Sequence, residues 1–173
     1  MSDKKLLVVV DMQNDFIDGS LGTKEAQAIV PNVVEKIKSW DGNIAITRDF
    51  HINSSYLDTV EGKHLPIKHC IYNTEGVSVN KEVEKALPGF FDIFTKYTFG
   101  STELARWSYN MKFDSIELIG VCTDICVISN ALMLKAFNPD IEITVDSNCC
   151  AGTTPEAHNM ALEIMKNCHI NIV

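Results

Sequence analysis

No stretch of this 173-residue sequence stays apolar for the ~18–20 residues that a bilayer crossing needs, so a membrane-spanning protein is not expected. Positive charge is also scarce. Fifteen Lys and Arg stand against 23 Asp and Glu, a formal net charge of −8. Nucleic-acid backbones and anionic membrane surfaces are held by clustered Lys and Arg, so neither is expected as a partner. Internal repeats, low-complexity segments and linkers are missing as well. The hydrophobic share of 46% and charged share of 22% are those of an ordinary globular chain. One domain over residues 1–173 is expected, since ~100–200 residues per domain is usual. The apolar run Leu6 to Val10 is too short for a secretory signal and lacks a small-residue cleavage site. A cytoplasmic setting with reduced thiols follows as the expectation.

Six cysteines are present: Cys70, Cys122, Cys126, Cys149, Cys150 and Cys168. None falls in the paired Cys-x-x-Cys spacing of a structural zinc site. Each thiol therefore has to be judged as core filler, ligand or nucleophile.

Strand and helix patterns alternate along the chain. Leu6 to Val10 is a continuous aliphatic run, which reads as a strand buried on both faces. Val30, Val33, Val34 and Ile37 recur at helical spacing, with Pro31 suited to a first turn. Further strands are expected at 43–47, 92–95, 115–121, 142–146 and 170–173, and helices at 80–87, 101–111, 126–137 and 154–166. The polar stretch 53–76 shows little periodicity, and so long a loop is usually functional. The expected fold is α/β, a single three-layer domain with a mainly parallel six-stranded sheet flanked by helices.

Ligands of open parallel sheets bind beyond the carboxyl ends of the strands. Asp11 follows the first strand, Asp49 and His51 the second, Lys96 the third, and Cys122 to Cys126 the fourth. A carboxylate, a carboxylate with imidazole, an ammonium and a thiol thus converge on one edge. Cys126 opens a helix, where helix amides and nearby Lys96 are expected to lower its pKa. Asp11 can take the thiol proton, and the first helix amides can face a developing oxyanion. The bland alternative is a buried cysteine that only fills space. Asp49, His51 and His69 can hold a divalent metal, with His64, Asp58 and Glu61 as less defined loop candidates. The bland alternative there is a solvated loop with a capping histidine. Phe16 can wall a pocket, and His158 and His169 read as surface or packing residues.

These residues resemble the isochorismatase-like cysteine hydrolase superfamily, and within it the nicotinamidases, over nearly the whole chain. Asp11-Met12-Gln13-Asn14-Asp15-Phe16 is similar to the D-x-Q-x-D-F segment, and Thr47-Arg48-Asp49-Phe50-His51 to T-R-D-W-H. His69-Cys70 with Asn73 to Gly76 is similar to H-C…T-x-G, Phe99 to Leu104 to F-x-G-T-x-L, and Gly120 to Val127 to G-V-x-T-D-x-C-V. The resemblance implies Asp11, Lys96 and Cys126 as catalytic residues, with Cys126 rather than Cys122 as the nucleophile. It implies Asp49, His51 and His69 as ligands of a divalent metal, zinc first, with iron or manganese as alternatives. It also implies a cis Val121–Cys122 peptide, an oxyanion hole from the Cys122 and Cys126 amides, and a pocket with Phe16 and Val121 in its wall. The implied activity is hydrolysis of a small amide, nicotinamide first, in a homo-oligomer.

Two departures bear on the site. Leu65 to Lys68 lacks the usual Trp before the second metal histidine, and Ser54-Ser55 replaces a histidine often found after D-x-H. A metal site with fewer protein ligands is therefore expected. The rival readings are a carbamoyl or ureido amidohydrolase of the same superfamily, and a non-catalytic redox or metal-sensing module using Cys122 and Cys126.

Overall fold

The computed structural model describes residues 4–173. Strands β1 (Lys5–Val10), β2 (Asn43–Asp49), β3 (Asp92–Lys96), β4 (Ser115–Val121), β5 (Glu142–Ala151) and β6 (Asn171–Ile172) form one sheet in the order β3-β2-β1-β4-β5-β6. Every neighbouring pair is parallel. Among the described residues, no helix is long and apolar enough to cross a membrane.

The aliphatic run of β1 is continuous because both faces of the sheet are covered. Leu6, Val8 and Val10 pack toward α5 (Thr102–Met111), α6 (Ile128–Phe137) and α7 (Pro155–Asn167), through Leu104, Leu134 and Met165. Leu7 and Val9 point the other way, toward α1 (Asn14–Ile17), α2 (Lys24–Ser39) and α4 (Lys81–Ala86), meeting Ile17, Val33 and Val83. Each fully buried aliphatic side chain contributes roughly 1.5–3 kcal/mol.

Three elements differ from the sequence expectation. Helix α2 begins at Lys24, where Thr23 accepts a hydrogen bond from the Ala26 amide at 3.0 Å. Its buried stripe is Ala26, Ile29, Val33 and Ile37, which places Pro31 in the helix interior instead of its first turn. Strand β5 continues to Ala151 past an irregularity opposite Leu118 and Gly120, which restores pairing for Cys150 and Ala151. The long loop is broken up by a 3-10 turn at Tyr56–Asp58, helix α3 (Val60–His64) and a second 3-10 turn at Glu75–Val77.

Strand β1 has β2 on one side and β4 on the other, so the chain reverses its winding direction there. The carboxyl ends of β1 and β4 flank the resulting crevice, the usual ligand position in such sheets.

Candidate active site

Asp11, Lys96 and Cys126 meet in this crevice, and all three are buried. Lys96 Nζ lies 2.6 Å from Asp11 Oδ2 and 3.6 Å from Cys126 Sγ. Apart from this ion pair, Asp11 Oδ2 is a buried oxygen without a hydrogen-bond partner. Thr47 Oγ1 donates to the other oxygen, Oδ1, at 2.7 Å, which fixes the carboxylate plane. Asp11 itself sits at φ 47, a left-handed backbone position that non-glycine residues seldom occupy outside functional sites.

Burial raises the Asp11 pKa; Lys96 opposes this, and the Asp49 charge adds to it. Burial also works against the charged Lys96 ammonium, but Asp11, Cys126 and Asp49 outweigh it and raise its pKa. The expectation of a lowered Cys126 pKa is corrected. Burial and then the Asp11 charge push the thiol well above its ordinary value, and Lys96 offsets only part of this. A resting thiol of this kind requires a base, and the Asp11 carboxylate beside it is the candidate.

Cys126 lies in a single π-helical turn, Thr123–Val127, directly before α6, with Val127 N donating to Cys122 O at 3.0 Å. Such turns recur at functional sites because the extra residue displaces a side chain from the helix register. The Val121–Cys122 peptide is cis, as the resemblance implies. Gly120 precedes it at φ 118, where a side chain would run into the Val10 backbone.

Beside this group, Asp49, His51, Glu61 and His69 bring four donor atoms within 4.8 Å of one another. His51 Nε2 is 2.8 Å and His69 Nε2 3.4 Å from Asp49 Oδ2, while Glu61 Oε1 is 3.7 Å from His51 Nε2 and 3.3 Å from His69 Nε2. Bonds of roughly 2.0–2.2 Å to one tetrahedral ion set ligand atoms about 3.3–3.6 Å apart, so the donor set fits a divalent metal. Its electrostatics are set by the two carboxylates. Burial would raise the Asp49 carboxyl, but hydrogen bonds from His51 and His69 and the charge of Lys96 hold it well below the usual range. Burial opposes the His69 imidazolium, yet hydrogen bonds to Asp49 and Glu61 lift its pKa to about 10. His69 Nδ1 donates to Ile67 O at 2.9 Å, turning Nε2 toward the cluster. Glu61, one of the loop carboxylates expected as a possible addition, thus brings a fourth donor beside Asp49, His51 and His69. Asp58 is exposed in its 3-10 turn and stays outside, as does His64, whose Nδ1 donates to Val60 O at 2.9 Å.

A cavity of about 320 Å³ is lined by Cys122 and Cys126 together with Asp49, Glu61 and His69. Phe16 lines it, its ring 5.5 Å from that of His69. Val121 does not: its side chain is wholly buried in the core on the α2 side.

Residues 5–173 match the family model of the isochorismatase domain. The chain belongs to the isochorismatase family. The nicotinamidase of Saccharomyces cerevisiae is 25% identical, with 98% of this chain and 99% of the relative covered. The nicotinamidase/pyrazinamidase of Mycobacterium tuberculosis is 24% identical, with 98% of each covered. The solved structure of the Pyrococcus horikoshii pyrazinamidase in complex with zinc superposes at a TM-score of 0.83, with 30% identity over 98% of both chains.

Several residues that strand-end reasoning did not assign hold this isochorismatase-family site in place. Gln13, fully buried, donates to Asp49 O at 2.8 Å and Val77 O at 2.9 Å and accepts from Asp49 N at 2.7 Å, clamping the end of β2 that carries Asp49. Asp15 accepts from Cys70 N at 2.8 Å and so anchors the segment bearing His69. His51 N donates to Cys70 O and Tyr72 N to His51 O, at 3.0 and 2.8 Å, which brings the return of the loop beside β2. Asn130, 1% exposed, donates to Cys126 O at 2.8 Å and Phe99 O at 3.1 Å and accepts from Ser101 N at 3.0 Å. Asp124 accepts from Thr153 N and Oγ1 at 2.8 and 2.6 Å, and Thr123 Oγ1 lies 2.8 Å from His158 Nδ1. His158 therefore packs against the Thr123–Val127 turn that carries Cys126. Cys70, Cys149 and Cys150 are buried, and Cys168 is exposed.

Proposed function

We propose that the chain hydrolyses a small carboxamide, nicotinamide first, to the carboxylate and ammonia through a thioester on Cys126. The observation that carries this reading is the convergence of thiol, buried carboxylate and ammonium beside the four-donor cluster, with Cys126 and three of the four donors lining one cavity. Cavities of this size suit a single ring with its substituent.

In this mechanism Asp11 takes the Cys126 proton as sulfur attacks the amide carbon. Charge developing on the carbonyl oxygen is met by the Cys122 and Cys126 amides. Lys96 offsets the negative charge shared by Asp11 and the thiolate. Asp11 then returns the proton to the leaving nitrogen, ammonia departs, and the C–N bond is replaced by C–S. Water attacks the thioester with Asp11 again as base, which releases the carboxylate and restores the thiol. Asp49, His51, Glu61 and His69 would hold the divalent metal, zinc first with iron or manganese as alternatives, and when bound it supplies a Lewis acid for the ring nitrogen of a pyridine amide.

The test is ammonia release over a panel of small amides, with elemental analysis of protein purified without added metal. Turnover of nicotinamide by metal-containing protein is expected. Turnover confined to carbamoyl or ureido compounds, in protein free of metal, would overturn the substrate assignment.

A further inference from the structure

Two buried side-chain polar atoms have no hydrogen-bond partner among the described residues: Asp11 Oδ2, used by the mechanism, and Arg48 Nε, which is not. Native proteins leave few such atoms, and each calls for a cause. Arg48 makes no ion pair among the described residues, although the chain carries 23 Asp and Glu. Its guanidinium has one long contact, Nη2 to Thr95 Oγ1 at 3.4 Å.

Arg48 opens onto a second cavity of about 470 Å³, separate from the catalytic one. Phe50 and Tyr72 form an aromatic wall there, their rings 5.5 Å apart and tilted by 46°, and Tyr72 is 68% exposed. Asn73 and Ser78 add polar groups, and Glu75 also lines the cavity without pairing to Arg48. Side chains alternate along β2, so Arg48 points away from the face on which Asp49 joins the metal cluster.

We propose that this cavity is a binding site for a small carboxylate carried on a flat ring. A guanidinium fork matches a carboxylate in two parallel hydrogen bonds, and the aromatic pair offers a face for the ring. The aromatic carboxylate released by the proposed reaction belongs to this class. The proposal rests on that reading only for the choice of nicotinate as probe.

Calorimetric titration of the whole protein with nicotinate tests it, alongside backbone amide shifts at Phe50, Tyr72 and Asn73. Two binding events per chain are expected, one catalytic and one at Arg48. Arg48→Gln should weaken the second by roughly tenfold or more while the first persists. Arg48→Lys should keep binding of inorganic phosphate but lose most nicotinate affinity, since an ammonium lacks the fork. Tyr72→Ala, at an exposed side chain that the fold tolerates, should weaken nicotinate and spare phosphate. A single event in the parent protein, or a second event that Arg48→Gln and Tyr72→Ala both leave intact, overturns the site. Equal affinity of the second site for nicotinate and for inorganic phosphate, with Tyr72→Ala changing neither, overturns the ring preference. Absent nicotinamide turnover with the Arg48 event present would sink the functional reading alone.

Discussion

In the proposed mechanism, Asp11 sets the acid side of the activity. Its carboxyl must be ionised to take the thiol proton, and burial, resisted by Lys96 and reinforced by Asp49, raises its pKa above 3.8. Lowering pH through that raised value protonates the base, so the acid limb of kcat/KM is expected to have its midpoint above 3.8. Asp11→Asn should lower kcat by roughly 10²–10⁴-fold. A pH–rate profile with an acid midpoint at or below the ordinary carboxylate value would contradict this assignment. Glu61 makes a second prediction. Glu61→Gln should weaken metal retention at least as much as the roughly 10–100-fold cost of losing a partner behind a ligand, measured by competition with a chelator. Asp11, Asp49, His51, Lys96 and Cys126 were legible in the sequence because each stands at or just beyond a strand end. Glu61 was visible only as one acid in an aperiodic loop, since its place depends on how α3 folds back. Gln13 and Asp15 matched the D-x-Q-x-D-F segment without showing a role, and Asn130 left no local signal, because the partners of all three lie far along the chain.

Helix α6 and the loop that follows β3 are joined through Asn130, which spends its buried amide on Cys126 O, Phe99 O and Ser101 N. Asn130→Ala leaves those groups unsatisfied, a cost of about 1–3 kcal/mol. A lower urea midpoint and a lower kcat are expected together, because the loop carries Phe99 into the cavity wall. Helix α2 gives the opposite sign. Pro31 in its interior removes one backbone hydrogen bond and crowds the carbonyl four residues earlier, Gln27. Pro31→Ala is expected to raise stability by on the order of 1–3 kcal/mol in denaturant unfolding, with activity unchanged. A loss of stability would show that the proline is needed for packing against the sheet. The true start of α2 was missed because the apolar stripe includes the small Ala26, a weak hydrophobic signal beside Val30 and Val34.

At the scale of the whole molecule, the alternation of strand and helix patterns sufficed for the layered parallel sheet, since a strand covered on both faces has to read as an apolar run. Strand order was not in that pattern. It follows from which crossover passes over which face, and it is the order that puts β1 between β2 and β4 and opens the crevice. The negative charge of the chain bears on what it does not bind and left the site unspecified. The six cysteines sort by position: Cys126 lies beside a carboxylate and a cation, Cys122 is proposed to offer only its backbone amide, and the rest have no partner in the chemistry proposed. Ammonia release from nicotinamide by the Cys126→Ala variant, with folding checked by circular dichroism, tests this account most directly. A fold like the parent's with turnover reduced to background is the predicted result. A folded Cys126→Ala protein that still releases ammonia at the parent rate would contradict it.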